Sequence, residues 1–352
     1  MSPSIERTVR FGLIGTGRIA ADFAGDLKLV KNTALHAVLS RDMRTAQLFQ
    51  KAHGAAKAYA AIDAFMADPQ IDAVYVASPN TAHLEQALAA VRAGKAVLIE
   101  KPIAVSAADA MAIQAEAARH GTFAMEAMWI RFLPGIQRAK ALIESGAVGK
   151  VKSVRGELSY FNAYDPESRL FSKALGGGAS LDLGVYLLSL TRFMFGAPSN
   201  ASGEWKAAAN GVDLAARYEL AYPGFSAALS TSLEHDGHNM FEVTGTLGVL
   251  RIEDPFIQAR RLRILTGAAA KSRLLRPETS PGKAQKLIAR LPFPGQKVLS
   301  FNYPGNGMQF EAQEAAVAVR SGECASRIAP LSESIAVLQM IETVLSRPAS
   351  QA

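Results

Sequence analysis

The chain has 352 residues, 49% of them apolar and 20% charged, which is enough for two globular domains and lacks a disorder signature. Its single cysteine, Cys324, excludes a disulfide framework and a cysteine-held metal site. The net charge of +7 raises the question of an anionic partner, whether nucleic acid, membrane surface or phosphate.

Residues 1–7 are short and polar, without the apolar stretch and cleavage site of a signal peptide, so a cytoplasmic location is expected. Apolar runs at 9–14, 34–39, 73–77, 96–99 and 123–128 predict strands, several of them apolar throughout, as strands covered on both faces are. Helical spacing at 19–30, 43–53, 82–93 and 107–120 fills the intervals. Gly54, Gly94 and Gly121 follow the last turns, where a left-handed residue is needed. Asp42 and Ser106 stand at helix starts, and Ser106 with Asp109 forms a capping pattern. This alternation predicts an α/β dinucleotide-binding domain over residues 1–128, a doubly wound parallel sheet of the Rossmann kind.

After residue 128 the rhythm changes. A helix is expected at 134–145 and a strand at 151–161, and a glycine run at 176–178 precedes an apolar helix at 179–195. The apolar stretch 181–197 contains Asp182 and Arg192, which argues against a membrane span. Strand-like runs follow at 203–209, 213–221, 225–233, 239–244 and 249–253, and two helices, 308–321 and 331–346, close the chain. Residues 129–352 therefore read as an α+β domain with a mostly antiparallel sheet. Between residues 256 and 300, ten basic residues face Glu278 alone, a surplus of nine. The remaining 28 basic and 30 acidic residues sum to −2. The window is broken by Gly and Pro and holds Phe293 as its one aromatic after Phe256, so neither a nucleic-acid partner nor a membrane partner is expected.

Four places could carry chemistry. Gly15-Thr16-Gly17-Arg18-Ile19-Ala20 lies between the first strand and the first helix, where glycines admit a pyrophosphate and the helix N-terminus attracts it. A plain glycine-rich turn is the alternative. Ser40-Arg41-Asp42 ends the second strand. A hydroxyl and a guanidinium suit a 2′-phosphate, which favours NADP, whereas Asp42 as ribose acceptor would favour NAD. Lys101, in Glu100-Lys101-Pro102, ends a buried strand and points where such sheets bind ligands, unless it is an ordinary surface lysine. Its proline raises the odds of a cis bond. Asp182 and Tyr186 are four apart on an apolar helix and share a face. A core tyrosine is the alternative for Tyr186, but a buried carboxylate needs a partner. His235 and His238 flank Asp236 in what reads as a polar turn, and no catalytic metal is expected.

Together the Gly-x-Gly-x-x-Ala turn, the Glu-Lys-Pro triplet and Gly176-Gly177-Gly178-Ala179-Ser180-Leu181-Asp182-Leu183-Gly184-Val185-Tyr186 resemble the Gfo/Idh/MocA oxidoreductases. Ser78-Pro79-Asn80 with His83, Ala93-Gly94-Lys95, 243–248, Asn306-Gly307 and 330–334 extend the resemblance over nearly the whole chain. The segment 125–134 is most similar to the branch of dimeric dihydrodiol dehydrogenases, aldose dehydrogenases and glucose–fructose oxidoreductase. The resemblance implies an NADP-preferring dehydrogenase or reductase with Lys101 and Tyr186 catalytic and Asp182 beside them. It adds Ser78, Asn80, His83 and Glu100 to the cofactor's surroundings. It also implies an open-faced sheet in the second domain that joins copies into a homodimer or higher homo-oligomer.

The expected reaction is hydride transfer between the nicotinamide and a carbinol or carbonyl carbon of a sugar, cyclic polyol or diol. A phenol's pKa is about 10, so Tyr186 needs a nearby cation, and Lys101 supplies it. Trp129, Arg131, Tyr160 and Phe161 are candidates for the pocket wall, with core packing as their alternative. A catalytically silent dinucleotide or sugar sensor on the same fold is the rival, although it would need no Lys101, Asp182 or Tyr186.

Overall fold

In a computed structural model, which describes residues 7–276 and 291–351, the apolar runs of the first third become parallel strands. They are β1 (Val9–Ile14), β2 (Thr33–Leu39), β3 (Lys57–Tyr59), β4 (Ala73–Val76), β5 (Ala96–Glu100) and β6 (Ala124–Ala127). Their order in the sheet is β3-β2-β1-β4-β5-β6, two βαβ halves that meet between β1 and β4. Short β3 and the helix Ile62–Met66 were not expected; three and five residues are too few to show a period. The helix ends follow their signals. Asp42 and Ser106 accept the N–H groups of Thr45 and Asp109, and Gly54 and Gly121 take left-handed conformations.

This first compact unit takes the residues up to Phe132 together with Tyr303–Gln339. Its core of Phe11, Phe23, Tyr75 and Leu98 also contains Met308 and, from the helix Gln309–Ser321 that follows it, Ala312, Ala315 and Ala316. Asp26 anchors the start of that helix, its carboxylate accepting the N–H groups of Asn306, Gly307 and Met308 at 2.9 Å each. The partition thus differs from a division at 128/129, because residues 129–132 and Tyr303–Gln339 belong to the first unit. An apolar helical stripe read from sequence does not say which sheet it covers.

The second unit takes Leu133–Asn302 and the residues from Met340 on. Its nine strands are β7 (Val151–Ser159), β8 (Asn200–Ala207), β9 (Asp213–Tyr222), β10 (Phe225–Ser232), β11 (Phe241–Gly245), β12 (Gly248–Ile252), β13 (Arg261–Thr266), β14 (Gln296–Ser300) and β15 (Ser350–Gln351). They form one sheet in the order β14-β13-β12-β11-β7-β10-β9-β8-β15. β7 with β10 and β8 with β15 run parallel, and the other pairs are antiparallel. β13 and β14 lie in the basic window, to which the sequence assigned no element. Glu278, Lys283, Lys286 and Arg290 of that window lie outside the described residues.

Alternation on β7 shows how the sheet is used. Val154, Gly156 and Leu158 are buried, and Gly156 leaves Leu187 of the helix Val185–Phe195 room to pack. Arg155 and Glu157 point to the other face, with Arg217 and Glu219 of β9, and that face is polar. The helical stretch Lys173–Phe195 is apolar and long enough to cross a membrane, but 72% of its apolar window is buried within the protein.

Candidate active site

The carboxyl edge of the first sheet gathers most of the sequence-predicted cofactor residues. Gly15 has φ +107°, and a Cβ there would lie 2.6 Å from the Ala77 carbonyl oxygen at the end of β4. Only glycine allows that approach of the two strand ends. Gly17, by contrast, has φ −76° and no atom of the described residues within 4 Å of a would-be Cβ. The chain's own packing does not require glycine there, whereas a phosphate approaching the N-terminus of the helix Arg18–Leu27 does. Ala20 is buried, Arg18 and Ile19 are exposed beside the turn, and Thr16 is half-buried. Ser78, just beyond β4, has a buried Oγ with no hydrogen-bond partner among the described residues. An open cradle and an orphaned hydroxyl on neighbouring strands fit a dinucleotide.

Just beyond β2, Asp42 caps the next helix with one of its two oxygens. Its Oδ1 accepts the Thr45 N–H at 2.7 Å and the Thr45 hydroxyl at 2.8 Å, which hold its carboxyl below the ordinary carboxylate range. Arg41 is exposed next to it, and the half-buried Ser40 donates its N–H to Tyr59 O at 3.2 Å.

Glu100 ends β5 with its side chain fully buried. Tyr75 donates its hydroxyl to Oε1, and the Lys101 N–H donates to Oε2 at 3.1 Å. Burial pushes this carboxyl up to about 7, against the pull of Tyr75 and Lys101. The Lys101–Pro102 peptide is cis. Around it, Glu126 accepts the Ile103 N–H at 2.9 Å and the Ser334 hydroxyl at 2.7 Å, and burial raises its pKa too. His83 is fully buried, with Nδ1 at 2.9 Å from Pro102 O and Nε2 at 3.0 Å from Ser78 O. It ties the turns after β4 and β5 together, and the buried Asn80 opens the short turn Asn80–Ala82 between them. Sequence reasoning missed Glu311, a third buried carboxyl beside them, whose two oxygens have no hydrogen-bond partner among the described residues. Burial and the neighbouring Glu100 and Glu126 raise its pKa well above the usual range.

In the second unit the expected α-helix over 179–195 starts differently. Ser180–Gly184 is a π-helical turn, and the α-helix begins at Val185. Such turns concentrate at functional sites. This one is shaped by Asp213 at the start of β9, whose Oδ2 accepts the Ser180 N–H at 2.6 Å. Tyr218 donates its hydroxyl to Ser180 Oγ at 2.6 Å. Burial raises the Asp213 carboxyl to about 6. Asp182 sits on the turn, 3.5 Å from Arg169 Nη2, and the buried Tyr186 follows on the helix. Neither Asp213 nor Tyr218 stood out in the sequence, since both fall on an ordinary alternating strand.

The four wall candidates separate. Trp129 is half-buried in the turn Trp129–Phe132. Arg131 is 3% exposed and occupied by Ile328 O at 3.2 Å and Glu333 at 3.5 Å, which makes it a brace within the first unit. Tyr160 and Phe161 follow β7, the first half-buried and the second 62% exposed. Burial raises the Tyr160 phenol further. His235 lies 3.7 Å from Glu157, and the His238 N–H donates to the same carboxylate at 3.1 Å.

Comparison with known proteins finds relatives over nearly the whole chain. Residues 9–128 match the family described as an oxidoreductase family with an NAD-binding Rossmann fold, and residues 136–251 match the Gfo/Idh/MocA C-terminal domain. The trans-1,2-dihydrobenzene-1,2-diol dehydrogenase of Bos taurus is 30% identical over 346 residues, covering 96% of each chain. A levoglucosan dehydrogenase solved with NADH and levoglucosan superposes with a TM-score of 0.80 at 20% identity, covering 97% of each chain. The 3-ketoreductase of Actinomadura kijaniata solved with NADP and TDP-benzene gives 0.80 at 23% identity, covering 98% of this chain and 99% of its own. A Rossmann sheet with an open glycine cradle, a lysine after the buried Glu100 and these matches along the chain lead to one conclusion: the protein belongs to the Gfo/Idh/MocA family of oxidoreductases.

Proposed function

We propose that the protein is an NADP-preferring oxidoreductase acting on a carbinol or carbonyl carbon of a sugar, cyclic polyol or diol. The observation that carries this reading is within the first sheet. The Gly15–Ala20 turn after β1 and Lys101 after β5 open at the same carboxyl edge, with only β4 between their strands. A dinucleotide with its pyrophosphate at the turn therefore extends its nicotinamide end towards Lys101. The substrate classes follow those named for the relatives.

When bound, the nicotinamide supplies the hydride chemistry. Gly15, Thr16, Gly17, Arg18 and Ile19 receive the pyrophosphate, and Ser78 Oγ offers the hydrogen bond it lacks. Ser40 and Arg41 hold the 2′-phosphate, a reading favoured by the use of Asp42 Oδ1 as the helix cap at Thr45. NAD is the alternative cofactor. Tyr186 Oη gives or takes the proton at the reacting oxygen, and the Lys101 ammonium favours the phenolate and polarises that oxygen. Asp182 orients Lys101 or binds a substrate hydroxyl. Trp129, Tyr160 and Phe161 offer aromatic faces to the substrate. A cytoplasmic setting and a homodimer or higher homo-oligomer associating through the second-unit sheet complete the reading.

Tyr186→Phe and Lys101→Ala should each lose turnover by about 100-fold or more while the proteins stay folded and bind NADP, read by fluorescence titration. Near wild-type turnover in both variants overturns the mechanism.

A further inference from the structure

The basic surplus of residues 256–300 lies apart from the glycine turn in the sequence, and three of its seven described cations converge on one place. Lys271, Arg273 and Arg276, just after the short helix Gly267–Ala270, line a concavity of about 510 Å³ on the polar face of the nine-stranded sheet. Arg155 of β7, Arg217 of β9 and Arg251 of β12 enter the same concavity from the strands. Against these six cations it holds three carboxylates, Glu157, Glu219 and Glu242.

Strand register and pairing show which cations have their charge met. Arg251, Glu242 and Arg155 are direct cross-strand neighbours on β12, β11 and β7. Glu242 is buried and already shared, with Arg251 at 3.4 Å and Arg276 at 2.7 Å. Arg276 also donates to Ala270 O at 2.8 Å, which fixes its guanidinium. Glu157 is turned towards the His238 N–H, and Arg217 pairs with exposed Glu204 at 3.4 Å. Arg155, Lys271 and Arg273 are exposed and make no ion pair with any described residue.

Unpaired cations that converge in a concavity raise its potential, because the low-dielectric walls focus the field. Guanidiniums present paired N–H donors that match an oxyanion. No Phe, Tyr or Trp lines the concavity, so it offers nucleic-acid bases no stacking platform. We propose that it is a binding site for a small polyvalent oxyanion of the phosphate class, held by Arg155, Lys271 and Arg273, with Arg251 and Arg276 fixed behind them by Glu242. Two copies associating through this sheet would bring like charge together, and the bound oxyanion would offset that repulsion.

The test is calorimetric titration of the NADP-saturated full chain with inorganic pyrophosphate, so that the glycine turn is already filled. The expected result is saturable binding of one pyrophosphate per chain, weakened by added salt. The double variant Arg155→Ala/Arg273→Ala should weaken it by about tenfold or more, in keeping with the loss of charge-assisted hydrogen bonds. Both side chains are exposed, so the variant keeps its fold, and circular dichroism checks this. Absence of saturable binding to the wild-type protein overturns the proposal, whether the concavity is vacant or filled by a second copy. Unchanged affinity in the double variant overturns it equally.

Discussion

Asp213 Oδ2 accepts the Ser180 N–H at 2.6 Å, while its other carboxylate oxygen stands 1.9 Å from where a Cβ on residue 178 would lie. One buried side chain thus accounts for both the last glycine of the run and the geometry of the π turn that carries Asp182. Gly178→Ala meets that contact and a φ of +118° together. We expect it to cost at least about 2 kcal/mol in chemical denaturation and to lower turnover. Wild-type stability in this variant would remove Asp213 from the account.

Asp213 also makes a pH prediction. Burial raises its carboxyl from the ordinary 3.8 to about 6, so the folded state binds this proton more tightly than the unfolded chain does. The contribution to stability is therefore full below about pH 4, falls as pH rises towards 6, and stays low above that. The change amounts to roughly 3 kcal/mol. Asp213→Asn has no proton to lose, so its denaturation free energy relative to wild type should improve over this window. A pH-independent difference between the two proteins would contradict the assignment.

Cofactor choice should follow Arg41. Arg41→Ala is expected to raise the KM for NADP by about tenfold or more and leave that for NAD nearly unchanged, because only NADP has the phosphate the guanidinium grips. Asp42→Ala should instead lower the melting temperature through loss of the helix cap, with the NADP/NAD ratio kept. If Asp42→Ala abolishes NAD use while Arg41→Ala is silent, the roles are reversed.

Glu311 should be a cost to stability rather than a contribution. Its buried oxygens have no partner among the described residues, and its pKa is raised by burial, so the penalty grows as pH rises. Glu311→Met, similar in volume and apolar, is expected to raise stability by about 1–3 kcal/mol, more at pH 8 than at pH 5. Destabilisation at both values would show that the carboxyl has a partner.

Much of this was legible from residue order. Apolar runs located five of the six parallel strands, and the Gly15–Ala20 turn and Lys101 lie at the sheet edge where their context put them. The caps at Asp42 and Ser106 are local chemistry and fold as read. Long-range partners were not legible. Arg131 looked like a pocket residue because nothing near it in sequence announces Ile328 and Glu333. Asp213 was hidden because its ligand, the Ser180 amide, is 33 positions away. Arg261-Leu262-Arg263-Ile264 alternates as a half-buried strand does, but its charge drew attention away from its period.

The helix Gln309–Ser321 supplies core alanines to a sheet whose last strand ends at Ala127. A ribosome releases the N-terminus first, so the six strands are complete long before their covering helix exists. During that interval this face of the sheet has the helices Arg18–Leu27 and Met43–His53 but lacks the alanines that complete its core. The nascent first unit must wait, exposed or chaperoned, until the whole second sheet up to β14 has been synthesised, and a fragment ending near residue 132 would remain in that state permanently.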